Sequence, residues 1–207
     1  MTRRRTAIYL AVFLVAGLSW VVTRPRGGSA PDPVDWWTLP RQSETRRSAF
    51  SVETRKGTIT LTPKAAYRIQ AVVASAERYW IDRSAFLSPL DLALVWGPVG
   101  TPKVRKEIDF YQADRFCIWS TRLSFPRPDT IHRHFANVHL IPGNRNLRWA
   151  LLTLDPGDEV GLEGLLVDAT GPGGFRWTTS LSREDEGKGS CEVLFVELVQ
   201  IGGRLYR

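Results

Sequence analysis

The chain of 207 residues carries 28 Lys and Arg against 21 Asp and Glu, a formal charge of +7, with 43% apolar residues and two cysteines. The charge is lopsided: residues 1–48 hold eight arginines (3, 4, 5, 24, 26, 41, 46, 47) against Asp32, Asp35 and Glu44, leaving 20 basic and 18 acidic residues for the remainder. That near-balance excludes nucleic acid as the reason for the high pI, because such binding needs a basic face on the folded domain itself.

Residues 6–23, TAIYLAVFLVAGLSWVVT, contain no Asp, Glu, Lys or Arg. As a helix they would be about 27 Å long, close to the roughly 30 Å of a bilayer's hydrocarbon core. A single transmembrane anchor is therefore predicted, with the lipid bilayer as its partner. Arg3, Arg4 and Arg5 outweigh Arg24 and Arg26, so residues 1–5 form a cytoplasmic basic region and everything after residue 23 faces outward from the inner (cytoplasmic) membrane. Tyr9 and Trp20 fall near the two ends of the run, at headgroup level. A cleaved signal peptide is the competing reading, with small residues at 28–30 as the cut site. The apolar run is longer than a signal h-region, and Arg24, Pro25 and Arg26 separate it from that site, which favours the uncleaved anchor.

Residues 24–48 are rich in Pro, Gly, Ser and charge, the composition of a flexible tether. Trp36 and Trp37 interrupt it, and two adjacent indoles suit docking onto the domain or the membrane more than a ligand-stacking role. Arg41, Arg46 and Arg47 fit a solvated linker better than contacts with anionic headgroups.

Residues 49–207 fit one domain. Period-two patterns dominate. AFSVETR and TITLTPK flank Lys56 and Gly57, a hairpin signal; Tyr67, Ile69, Ala71 and Val73 alternate with Arg68 and Gln70 along a long strand. RFCIWSTR (115–122) is another strand. EVGLEGLLVDAT (159–170) and FRWTTSLS (175–182) are separated by the turn GPGG, and CEVLFVELVQI (191–201) is apolar enough for a central strand. Helix is expected at 144–154, before the stop DPGD, and as a short turn in SPLDLALVWG (88–97) with Pro89 at its first position. The fold class expected is mainly β: a small antiparallel β-barrel, OB- or SH3-like, with one or two short helices, preceded by the transmembrane helix.

Cys117 and Cys191 both fall in predicted strands. In an outward-facing compartment the default is a disulfide, closing a loop of about 75 residues and contributing up to roughly 4 kcal/mol. With no C-x-x-C or H-x-x-x-H spacing, neither a metal site nor any other cofactor is predicted.

All three histidines lie in IHRHFANVHLIP (131–142). On an extended strand His132 and His134 share one face, while Asn137 and His139 share the other with Phe135. A second polar segment, SLSREDEGKGSCE (180–192), brings Ser180, Ser182, Arg183 and Asp185 to a loop before Cys191. Joined, the two segments offer His134 or His139 as base, Ser180 or Ser182 as nucleophile and Asp185 as orienting acid. No G-x-S-x-G elbow is present, and hydrogen-bonded structural roles are the expected ones for these residues. NVHLIP (137–142), SLSRED (180–185) and GSCE (189–192), after an apolar N-terminal segment, resemble a group of uncharacterised bacterial single-pass membrane-anchored proteins over most of residues 65–200. The resemblance implies one domain and a bacterial origin, and carries over no catalytic residue. The expectation is a membrane-anchored extracytoplasmic binding or assembly module of the bacterial envelope with a protein partner. Its candidate surface is Trp119, Asn137, His139, Trp177 and Arg183, since aromatics and Arg dominate interface hot spots. The alternative is a hydrolase built on the His/Ser/Asp residues.

Overall fold

The computed structural model describes residues 25–122, 126–182 and 190–207. The basic residues 1–5, the apolar segment 6–23, Arg183 and Asp185 lie outside them. Among the described residues no helix is long and apolar enough to cross a membrane.

The architecture is mainly β, as expected. Strand β3 (Phe50–Thr54) turns through Arg55 and Lys56 into β4 (Gly57–Arg78), a 22-residue strand. Gly57 sits at φ 103°, a left-handed value that glycine adopts without a Cβ penalty. Along one edge β4 pairs with β9 (Glu159–Gly171). Its other edge meets β3, then β2 (Arg41–Ser43), and finally β5 (Leu90–Val95). Beyond β5 lies β8 (Phe135–Pro142), which pairs in parallel with β11 (Glu192–Ile201). Strand β11 in turn pairs antiparallel with β9. Each of these five long strands therefore has a neighbour on both sides.

Two differences from the sequence reading matter for the site. Residues 88–97 are not a helical turn. Every residue of β5, LDLALV, is buried, because the strand is covered on both faces as well as paired on both edges. Residues 131–142 are not one strand: a short helix α3 (Pro128–Arg133) takes His132, His134 is its C-cap, and β8 begins at Phe135. The two short helices before it, α1 (Gly97–Gly100) and α2 (Pro102–Arg105), lead into β6 (Ile108–Ala113), which pairs with β7 (Phe116–Thr121) as a separate hairpin. The expected helix before DPGD is α4 (Arg145–Leu151). Asn144 caps it, its side chain accepting from Leu147 N at 2.9 Å, and Leu147, Ala150 and Leu151 are buried. Of FRWTTSLS only β10 (Phe175–Trp177) is strand.

Residues 25–48 do not form a loose tether. Strand β1 (Gly27–Ser29) pairs with β12 (Arg204–Tyr206), Val34 is buried, and β2 lies along β4. The Trp36 indole N–H donates to Glu159 Oε1 at 3.0 Å, and its ring stacks with Trp37. Composition misleads here because the segment borrows its partners from sheet edges instead of building a core.

Alternation divides the core. Leu90, Leu92 and Leu94 of β5, Val138 and Leu140 of β8, and Leu194 and Val196 of β11 pack together with α4 in the principal cluster. The alternate residues point to the opposite face. There a second cluster gathers Leu87, Ile141, Val193 and Phe195, and a third gathers Val72, Val95, Val99, Ile108 and Ile131. Asp91, Asn137 and His139, all buried, occupy that same face between the two.

Candidate functional site

Register assembles the site. Asp91 on β5 is directly opposite His139 on β8, and the parallel pairing of Glu192 with Val138 sets Cys191 beside Asn137. His139 Nδ1 lies 2.9 Å from Asp91 Oδ2, and Cys191 is near enough to act on the charge of the ring. The Nδ1–Oδ2 contact is short but poorly aligned for a hydrogen bond, so charge pairing is its main content. The other carboxylate oxygen of Asp91 accepts from Arg115 Nη1 at 2.7 Å. Asn137 Nδ2 donates to Cys191 Sγ at 3.3 Å and to the Arg115 carbonyl at 2.9 Å, while its Oδ1 accepts from Gln112 Nε2 at 3.1 Å. Ser75 Oγ donates to Gln112 Oε1.

Arg115 closes the arrangement from above. It forms, with Asp114, the two-residue turn between β6 and β7, and both residues have positive φ (50° and 71°). A two-residue hairpin of this hand requires that backbone, and an arginine there is strained by about 1–3 kcal/mol. The side chain offsets the strain with contacts: Asp82 Oδ2 at 2.6 Å, Asp91, the Ser88 carbonyl at 3.0 Å, and the Tyr79 ring, whose centroid is 3.6 Å away. Trp177 lies against both Arg115 (5.6 Å) and His139 (4.7 Å between rings).

Electrostatics follow from this packing. Burial alone would lower the pKa of His139, but its contacts with Asp91 and Cys191 outweigh burial and raise it to about 9. The imidazolium thus balances the second of two carboxylates, Asp82 and Asp91, of which Arg115 neutralises one. Burial, then the neighbouring Cys191, push the Cys117 thiol up to about 12. Tyr79 is likewise pushed up to about 12, by burial first and Asp91 second.

Cys117 and Cys191 are free thiols, which corrects the expected disulfide. Cys117 sits on β7 opposite Gln112, while the sulfur of Cys191 accepts from Asn137. The default for an exported protein took no account of these partners.

Of the residues singled out by sequence, Asn137, His139, Trp177 and Cys191 come together. Cys117 and Ser180 adjoin Cys191 without joining its contact with Asn137, and His132, His134 and Trp119 lie away from it. His134 Nδ1 donates to the Thr130 carbonyl (2.8 Å) and the ring packs near Trp96, while His132 lies edge-on to Trp119. Ser180 Oγ accepts from Ser182 N and donates to Ser182 O, closing a turn, and Ser180 N donates to Cys191 O. Asp91, Arg115 and Asp82 were missed. A signal for Asp91 existed: it is the one charge inside LDLALVW, and a carboxylate in such a run is costly unless paired.

Among the described residues no three His, Cys, Asp or Glu side chains converge as a metal site. A groove of about 430 Å³ runs elsewhere, between Arg41, Arg68, Glu163, Glu197 and Arg207. Its Arg68–Glu163 and Arg47–Glu197 pairs neutralise one another, and no thiol or imidazole lines it. In comparisons with protein-family models, with curated proteins and with solved structures, nothing matches this chain. Function must therefore be argued from the Asp91, His139 and Cys191 geometry.

Proposed function

We propose that the chain is a membrane-anchored, extracytoplasmic thiol enzyme that transfers or hydrolyses an acyl group, with Cys191 as nucleophile. The observation that carries this reading is one buried imidazole paired with a buried carboxylate at 2.9 Å, with a partly exposed thiol near enough to act on its charge. Asp91, itself held by Arg115, keeps His139 charged, so the ring is a proton donor beside the sulfur, and the Asn137 amide donates to Cys191 Sγ. The thiolate adds to the carbonyl carbon, the bond to the leaving group breaks, and His139 gives that group its proton. Water, deprotonated by His139, then releases the acyl group and restores the resting pair. This reading takes up the hydrolase that the sequence offered as the alternative to a binding or assembly module, with the nucleophile moved from serine to cysteine and the acid from Asp185 to Asp91. The five doubly paired strands, β4, β5, β8, β11 and β9, are read as the small OB-like barrel on which this site is built.

The test is alkylation of the full-length protein by iodoacetamide between pH 5 and 9, with cysteines located by mass spectrometry. Cys191 is expected to react at least about tenfold faster than Cys117, and His139→Asn or Asp91→Asn to slow it. Equal rates at the two cysteines, unchanged in both variants, would overturn the assignment.

A binding or assembly module is the second reading, favoured by the exposed hairpin residues Tyr111 and Ile118, which face each other across β6 and β7. On that reading the buried polar residues only fasten the hairpin, and the same substitutions would lower thermal stability without altering relative thiol reactivity.

A further inference from the structure

Register also builds a second site, on the solvent face of the sheet and lined by neither Cys191 nor His139. Residues directly opposite each other in antiparallel strands share a face, with Cβ atoms about 4.5–5.5 Å apart. Arg41 on β2 meets Arg68 on β4, Arg68 meets Glu163 on β9, and Glu163 meets Leu198 on β11, one row across four strands. These four residues line the groove of about 430 Å³. A smaller hollow of about 140 Å³ shares Arg41 and Arg68 with it and adds Thr38, Leu39 and Gln70.

Charge is unbalanced where the two arginines meet. Like charges directly opposite on paired strands repel, and no carboxylate answers Arg41: Glu163 pairs with Arg68 through Nε at 3.1 Å, and Glu197 pairs with Arg47. Among the described residues the Arg41 guanidinium has no ion pair or hydrogen bond, and the terminal nitrogens of Arg68 have no hydrogen bond. Gln70 gives its amide oxygen to Asp35 N at 2.7 Å, which leaves its amide N–H groups as donors. The Asp35 carboxylate accepts from Thr38 and Trp37 instead. Three donor groups thus border one hollow with no acceptor of the fold engaging them.

A carboxylate offers two oxygens, which a single guanidinium fork occupies. A phosphate monoester offers three and carries about −1.5 to −2 at pH 7, enough for two forks and an amide. Pockets for small organic ligands begin at about 300 Å³, so the groove has room for more than a bare ion. Its far part is polar, with Ser43 and the second carboxylate oxygens of Glu163 and Glu197 as acceptors for hydroxyl groups.

We infer that Arg41, Arg68 and Gln70 bind the phosphate of a small, soluble, polyhydroxylated phosphate monoester of the sugar phosphate kind, whose hydroxylated part lies along the groove beside Glu163. Arg68 keeps Glu163 on Nε while its terminal nitrogens take the phosphate. The site is separate from the thiol reading and does not depend on it.

The experiment is isothermal titration calorimetry of the full-length protein in uncharged detergent with glucose 6-phosphate, inorganic phosphate and glucuronate. Glucose 6-phosphate is expected to bind at least about tenfold tighter than either of the others, since each charge-assisted hydrogen bond lost costs about that factor or more. Arg41→Gln is expected to weaken it at least about tenfold without lowering the Tm of the free protein, because that guanidinium has no partner to lose. Gln70→Glu keeps the acceptor for Asp35 N but sets a negative charge beside the phosphate, and is expected to abolish binding. No saturable binding at millimolar glucose 6-phosphate, or an affinity unchanged in Arg41→Gln, would overturn the site. Equal affinity for glucuronate would overturn the phosphate, and equal affinity for inorganic phosphate the hydroxylated body. Loss of glucose 6-phosphate binding in nanodiscs containing phosphatidylinositol 4-phosphate, with binding kept in phosphatidylcholine alone, would assign the groove to a lipid headgroup and overturn the soluble source.

Discussion

The charged state of His139 makes stability depend on pH in a calculable way. Its pKa is raised from 6.5 to about 9 in the fold. At about 1.36 kcal/mol for each pH unit, the protonated ring contributes on the order of 3 kcal/mol. The sign is that of a base with an elevated folded pKa: the contribution is complete below about pH 6.5 and is lost as pH rises through about 9. For a domain of this size about 1 kcal/mol corresponds to 2–4 °C, so Tm should fall by roughly 6–12 °C between pH 6 and 9.5. The groups facing the ring are Asp91, Arg115, Cys191 and Trp177, with Asp82, Tyr79 and Cys117 around them. Cys117 and Tyr79, both raised to about 12, add losses of the same sign only above their ordinary values of 9.0 and 10.0. The window from pH 6 to 9 therefore isolates His139. Thermal unfolding of the detergent-solubilised full chain, followed by near-ultraviolet circular dichroism, is the assay. His139→Gln should flatten the curve in that window, and Cys191→Ser should reduce its slope while leaving the part due to Asp91. An unsubstituted protein with a flat Tm from pH 6 to 9, or a His139→Gln variant with the same slope, would refute the argument that contacts outweigh burial at this ring.

Three further outcomes are expected. Asp91→Asn leaves Arg115 and the His139 ring short of a buried counter-charge and should destabilise the protein by about 3–5 kcal/mol, read from urea unfolding at pH 7. Gly164→Ala would drive its Cβ into the Phe195 carbonyl oxygen, next to the register shift between β9 and β11; because backbone must move, the loss should reach about 3 kcal/mol or prevent folding, seen as loss of cooperative unfolding. Asn144→Ala removes the cap of α4 and should cost only about 1 kcal/mol in the same urea assay, with Cys191 alkylation unchanged.

The parts of the fold legible in sequence are those where one face of an element is wet. The β3–β4 hairpin and the Asn144 cap declare themselves through a turn dipeptide and a capping residue. Strand β5 does not: buried on both faces, LDLALV loses the alternation that separates strand from helix, and Pro89 suggested a helix start. Residues 25–48 were misread for the converse reason, since their partners belong to edges far away in sequence, such as Tyr206 and Gln70. The site was half visible. Asn137, His139 and Cys191 stood out by residue type, but what joins them is register between strands 50 residues apart, which no local pattern encodes. Arg115 was hidden in a segment read as continuous strand, because a hairpin turn built on Asp114 and Arg115 lacks the glycine that usually announces one.

The amide of Asn146 donates to the carbonyls of both Arg26 and Arg207, at 2.8 and 2.9 Å. Head and tail of the folded unit therefore emerge side by side, separated by little more than one side chain. A unit with this geometry behaves as a cassette: it could be spliced into a surface loop of another protein without forcing the host's two cut ends apart, and its own ends could be joined by a few residues and reopened at a distant turn such as 155–158.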